Sequence, residues 1–277
     1  MAATRRRGIV GAMRRRPVEI KMTVLYLAVA FLAAGALGAV QPVTRIPAEV
    51  VQLTQFGPAL GVGIVALLWP GRVRELFAGG RSVRVRGALL LVTAPLITIV
   101  AAAGYAAVTG EVRLMRPAAP FVLVAVAQLI GACGEEIGWR CLLQPLLRTR
   151  FGRLGASMVV GVVWGVWHVQ VFAQHPLYAA SFLLAAVSMS VVLGWALDGA
   201  GGSRLLLAGG FHALINLGML LAMDEESGAV LPMVLFGSSC LVAAVWWVRA
   251  AGPDRGSAAQ SSTPAPTRLP STMRDVR

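Results

Sequence analysis

The chain has 277 residues, 57% of them hydrophobic and only 13% charged. A soluble globular chain carries about 45–50% apolar and roughly 25% charged residues, so an ordinary soluble domain is excluded. The net charge of +13 does not indicate a nucleic-acid binder, because the arginines lie between apolar stretches and at the two ends rather than on one basic face.

Spanning a bilayer takes ~20 apolar residues, with a range of about 17–25. Residues 1–21 read as a basic tail carrying Arg5, Arg6, Arg7, Arg14, Arg15 and Arg16. The apolar run near 22–40 resembles a secretory signal, but further apolar segments follow, so it is taken as an uncleaved first helix. The others lie near 49–69, 87–108, 119–147, 154–174, 177–197, 203–223 and 229–249. The expected fold is all-α, a polytopic transmembrane helical bundle of about eight spans forming one membrane domain over 22–250. Residues 251–277 are rich in Ser, Thr, Pro, Ala and Arg, and a disordered cytoplasmic tail is expected.

Basic residues set orientation. The gaps after the second, fourth and sixth segments carry Arg72, Arg74, Arg81, Arg84 and Arg86, then Arg148, Arg150 and Arg153, then Arg204. The alternate gaps are poorer: Arg45 with Glu49, Arg113 and Arg116 with Glu111, His175 alone, and finally Asp224, Glu225 and Glu226. This alternation predicts both termini in the cytoplasm. Arginine greatly exceeds the single Lys21, a bias that fits a GC-rich bacterial genome and hence a cell inner membrane. Cys133, Cys141 and Cys240 form no C-x-x-C pair and read as buried free thiols.

An ionisable group inside a membrane helix is costly and marks a functional site by default. Three segments hold them all: Glu135, Glu136 and Arg140 in the fourth, His168 in the fifth, and His212, with Asn216, in the seventh. Glu136 and Arg140 are four apart and share a face with the acid in the favourable N-terminal order. Glu135 is turned ~100° away and is free to serve as a general base. Trp164 and His168 are four apart, as are His212 and Asn216, so each pair presents one patch. Glu135, His168, His212 and Asn216 could gather around one water, with imidazole and amide groups stabilising an oxyanion. Glu135, His168 and His212 could equally hold Zn²⁺ with one position open; this is not the H-E-x-x-H arrangement.

Plainer readings stand beside these. The Glu136–Arg140 pair could join helices, a lone intramembrane His could be a structural hydrogen-bonder, Trp139 and Trp164 suit packing, and His175 beside Pro176 reads as incidental. Gly134-x-x-x-Gly138 and Gly161-x-x-x-Gly165 are small-residue faces, expected to bring the fourth and fifth helices together. A transporter or proton relay would also use buried Glu, His and Asn, and Pro95 and Pro145 could interrupt helices. A catalytically silent scaffold is the remaining alternative.

Glu135-Glu136-Ile-Gly-Trp-Arg140, Trp164-Gly-Val-Trp-His168 and Phe211-His212-Ala-Leu-Ile-Asn216 resemble, in order, the E-E-x-x-x-R, F-x-x-x-H and H-x-x-x-N motifs of the CPBP family of intramembrane CAAX-type and bacteriocin-processing proteases. The resemblance covers about residues 119–222, and Trp164 stands where the family usually has Phe. It implies an intramembrane endopeptidase, glutamic or metallo in type, acting on a membrane-embedded or lipidated protein. Glu135 and His168 would activate water, His212 and Asn216 would form the oxyanion site, and Glu136, Arg140 and Trp164 would support them.

At 1.5 Å per residue, Glu135 should lie ~20 Å from Arg148, His168 ~22 Å from Arg153 and His212 ~12 Å from Arg204. All then fall within a hydrocarbon core about 30 Å thick. A shared water-filled cavity is expected, opening to the cytoplasm or sideways to lipid.

Overall fold

The computed structural model describes residues 2–48, 50–78, 80, 83–112, 114–223 and 228–250, with side chains from residue 17 onward. The side chains of Arg5, Arg6, Arg7, Arg14, Arg15 and Arg16, together with Glu49, Arg81, Arg113, the acidic run at 224–226 and the segment 251–277, lie outside the described residues. Among the described residues all regular structure is helical: α1 (Ala2–Thr44), α2 (Gly57–Leu68), α3 (Pro70–Phe77), α4 (Arg84–Thr109), α5 (Phe121–Gly138), α6 (Gln144–Trp167), α7 (Pro176–Ala196), α8 (Arg204–Ala222) and α9 (Val230–Ala250). Two 3₁₀ turns (Leu53–Phe56 and Val169–Ala173) and a π turn (Trp139–Leu143) complete them.

The protein is a multi-pass membrane protein. Among the described residues six helical segments are long and apolar enough to cross a bilayer. The expected bundle of about eight spans is reached through two further features. The second span is a short apolar helix, Leu53–Leu68, where a longer run was expected. The fourth and fifth spans form one segment, Phe121–Trp167, but it is folded back at Gly152, whose φ of 66° and ψ of −171° suit glycine alone. The first span is continuous with the basic segment, since α1 begins at Ala2. Of the two prolines singled out, Pro95 lies within an unbroken α4. Pro145, lacking an N–H, directly follows the π turn, where the amide of Gln144 reaches Trp139 O.

The connections sort into two ends. At one end, Arg72 pairs with Glu19 of α1, Arg204 reaches Leu76 O of α3 at 3.4 Å, and Arg86 donates to Asp198 O at 2.6 Å. The Asp198 carboxylate also binds Arg148 at 2.5 Å and Arg153 at 3.0 Å. The arginine-rich gaps therefore meet at this end. At the other, Gln41 bonds Ile46 O and Val51 O, Met115 N bonds Leu221 O, and Gln174 packs against Gly228. The alternation read from the sequence thus corresponds to two spatially separate ends.

Contrary to expectation, the glycine faces do not join the fourth and fifth helices. A Cβ at Gly161 would meet Val187 Cα at 2.6 Å, and one at Gly165 would meet Leu183, both on α7. Gly134 and Gly138 instead admit Gln55, Phe56, Pro58 and Tyr26 from α1 and the α2 region. The reason is the reversal at Gly152, which leaves α6 to pack on α7 while α5 packs on α2 and α8. His175, read as incidental, caps α7 by accepting a hydrogen bond from Leu177 N.

The flanking arginines hold the Asp198 carboxyl below its usual range against the opposing effect of burial. A carboxyl with a depressed folded value stabilises the fold above its unfolded pKa, about 3.9, and that contribution disappears as pH falls through the folded value. Asp198→Asn should lower Tm by about 3 °C at pH 7. The gap between variant and wild type should close below about pH 4, as followed by thermal unfolding in detergent.

Candidate active site

The site is built on α5, α6 and α8. Gly209 of α8 lies directly against Cys133 of α5, a close approach that brings His212 one turn further along to the Glu135–Glu136 pair. Glu135, Glu136, Arg140 and His212 are all buried. Glu136 divides its oxygens between two partners. Oε2 lies 2.9 Å from Arg140 Nε, and Oε1 lies 3.0 Å from His212 Nδ1. The contact with Arg140 is ionic rather than a well-aligned hydrogen bond, since neither atom has a hydrogen-bond partner. Arg140 Nη1 also donates to Ser190 Oγ on α7 at 2.8 Å, and that hydroxyl donates to Ser157 O on α6 at 2.6 Å. The expected i,i+4 pair is therefore present, and Glu136 additionally orients the histidine.

Trp164 touches four members of the site. Its indole N–H donates to Glu135 Oε2 at 2.8 Å. Its carbonyl oxygen lies 2.9 Å from His168 Nδ1. Its ring stands edge-on to His212 at 5.0 Å and beneath the Arg140 guanidinium at 5.1 Å. The sequence suggested a packing or supporting role; the indole N–H is the group that a phenylalanine could not supply.

His168 lies at the end of α6, with φ −81° and ψ 62°, not within a helix running to 174 as expected. Its Nδ1 faces a carbonyl, which only accepts, so Nδ1 carries the proton and Nε2 is left as the acceptor. The same logic holds for neutral His212, whose Nδ1 faces a carboxylate. Asn216 Nδ2 donates to Gln128 Oε1 at 2.9 Å, which fixes the amide.

Glu135, His168, His212 and Asn216 line one cavity of about 350 Å³. These four residues come from three separate stretches of helix and share this cavity. Its mouth lies at one end of the bundle. Ala48, Gln52, Met115, Arg116, Gln170 and Gln174 lie along it, all from connections at the end opposite the arginine-rich gaps. The cavity opens there because α6 stops at Trp167 and leaves the region above His168 to a 3₁₀ turn.

Among the lining residues that the sequence reading did not single out, two stand out. Gln128 supports Asn216, and Gln55 is buried with its Oε1 unpartnered. Gln128 is seven residues before Glu135, a spacing of two helical turns that could have flagged it. Gln55 comes from a 3₁₀ turn with no periodic signal. As for a metal, among the described residues no three His, Cys, Asp or Glu side chains form a group that could hold one. Of the three residues considered for zinc, Glu135 has one oxygen engaged by Trp164.

Residues 117–218 match the protein family described as type II CAAX prenyl endopeptidase Rce1-like. The chain is 32% identical over 128 residues to CAAX prenyl protease 2 of Methanococcus maripaludis, covering 42% of this chain and 47% of that protein. It is 26% identical over 129 residues to lysostaphin resistance protein A of Staphylococcus aureus, covering 47% of this chain and 30% of that protein. The chain thus spans half or less of the length of these relatives. The matched segment contains all three motifs that carried the resemblance.

Arg140→Ala should leave the buried Glu136 carboxylate without its guanidinium partner. Removing one partner of a buried pair costs roughly 3–5 kcal/mol. The yield of monodisperse protein should fall sharply relative to wild type when compared by size-exclusion chromatography.

Proposed function

We propose that this protein is an intramembrane endopeptidase that hydrolyses a peptide bond of a lipidated or otherwise membrane-associated protein. The observation that carries this reading is the gathering of Glu135, His168, His212 and Asn216 on one cavity, with Trp164 donating to Glu135. The similarity over residues 117–218 to CAAX endopeptidases supports the same reaction class.

The chemistry follows from the hydrogen bonds. Trp164 engages Glu135 Oε2, which leaves Oε1 to take a proton from water. His168, its Nδ1 proton given to Trp164 O, accepts a second water hydrogen at Nε2 and holds that water in place. The hydroxide adds to the carbonyl carbon of the substrate. The developing oxyanion accepts from the second amide hydrogen of Asn216 and from His212. Since His212 Nδ1 serves Glu136, His212 donates from Nε2 only as the imidazolium. The C–N bond then breaks as Glu135 returns its proton to the leaving amine. No metal enters this scheme.

The positive-inside rule assigns the arginine-rich end, and with it both termini, to the cytoplasm of a cell inner membrane. The cavity mouth then faces the outer side, so the substrate is a protein whose scissile bond is presented from that side of the membrane.

Glu135→Gln should give a folded protein that does not cleave a lipidated reporter peptide, at least 100-fold below wild type if general-base catalysis is lost. Trp164→Phe should fold and retain partial activity, about tenfold or more below wild type, the cost of a lost hydrogen bond to a charged group. Activity should survive a strong chelator; its loss, restored by added Zn²⁺, would replace this mechanism with a metal-assisted one.

Reporter fusions at the C-terminus and within the 223–228 connection should report the cytoplasm and the outer side respectively. The reverse result would invert the assignment of the cavity mouth.

A further inference from the structure

We infer that the arginine-rich end of the bundle contains a phosphate-binding site, separate from the catalytic cavity and suited to the headgroup phosphate of an anionic lipid. A second cavity of about 290 Å³ lies where the α5–α6 junction meets the ends of α7 and α8. Arg140, Arg148 and Arg204 line it, with the polar groups of Gln144 and Thr149 and, among the described residues, no acidic one, although Thr149 Oγ1 also reaches Glu19 Oε2 at 3.4 Å.

These guanidinium groups have donors or charge to spare. Arg140 is buried, and its Nη2 has no hydrogen-bond partner. Arg204 donates to the carbonyl oxygens of Ala200 and Leu76, dipoles that leave its charge in place. Asp198 serves Arg148 and Arg153 together, so one carboxylate is divided between two guanidinium groups. Arg148 retains substantial exposure and has donors to spare. A phosphate supplies several acceptor oxygens and negative charge, the complement that guanidinium forks bind in pairs.

Position supports a lipid source. Arg148 and Arg204 lie at helix ends flanking the apolar core, where headgroup phosphates reside, and basic pockets between transmembrane helices are suited to such headgroups. Free phosphate shares the chemistry, so the two sources need separate arms. Occupancy would also touch the catalytic network, because Arg140 contacts Glu136 and Glu136 holds His212. The inference does not depend on proteolysis, and its test uses binding alone.

The full chain in uncharged detergent is unfolded thermally with inorganic phosphate or with chloride at equal ionic strength. In parallel it is reconstituted in phosphatidylcholine vesicles with or without phosphatidylglycerol. Wild type should gain several degrees in Tm from phosphate or from the anionic lipid. A gain from both means that the phosphate group suffices, and a gain from the lipid alone means that the site reads the whole headgroup. Arg204→Gln should lose at least half of the gain, while Arg204→Lys should keep most of it. Gln144→Glu, which adds a negative charge to the cavity, should also abolish it and provides a second route if Arg204→Gln folds poorly. No gain from either source overturns the proposal, as does an equal gain in wild type and both charge-altering variants.

Discussion

The buried contact between Glu136 and Arg140 is the constraint on which the rest of the site depends. Each charge alone would be intolerable within a hydrocarbon-depth bundle. Their attraction repays desolvation only if the remaining polar atoms also find partners. The structure meets that demand by distributing the pair over four helices. Glu136 reaches His212 on α8, and Arg140 reaches Ser190 on α7, which in turn reaches Ser157 on α6. A charge pair local to one stretch of chain thereby positions the imidazole of another. The Nη2 of Arg140 has no hydrogen-bond partner, and Arg140 also lines the second cavity.

Backbone irregularities around this pair shape the cavity. The π turn at Trp139–Leu143, just before Pro145, carries Arg140, and π turns recur at functional sites. The reversal at Gly152 begins the return arm of α6, and the arm ends at Trp167. From 153 to 167 is 15 residues, roughly 22 Å at 1.5 Å per residue, shorter than a hydrocarbon core of about 30 Å. His168 consequently stands at a helix end below the level of the surrounding connections, with its own Nδ1 turned back to the Trp164 carbonyl. A full-length span there would have closed the cavity from above.

Charge separates the two ends of the molecule. One end gathers Arg72, Arg86, Arg148, Arg153 and Arg204 around Glu19 and Asp198. The other opens the cavity lined by Glu135 and both histidines through connections in which glutamines are prominent, with Gln52, Gln170 and Gln174 at the mouth. Amides carry both donors and acceptors at no charge, a composition that suits contact with a peptide backbone better than with an ionic group.

Much of this protein is legible in its sequence. Apolar length and arginine alternation are one-dimensional properties, so the helical bundle and its two ends could be read without coordinates. Charges in apolar segments are rare enough that Glu135, Glu136, Arg140, His168, His212 and Asn216 identify themselves, and the i,i+4 spacing of Glu136 and Arg140 is local geometry that any helix enforces. Three things required the tertiary structure. Which helices the glycine faces join was decided by the fold-back at Gly152, a single dihedral choice with long-range consequences. That Trp164 donates to Glu135 could not be read from an aromatic at that position, because the hydrogen bond runs between helices that spacing does not relate. The direction of the cavity mouth was set by where α6 ends, and helix ends depend on what covers their last carbonyl groups; here His168 and a 3₁₀ turn replace the final turns that apolar periodicity had suggested.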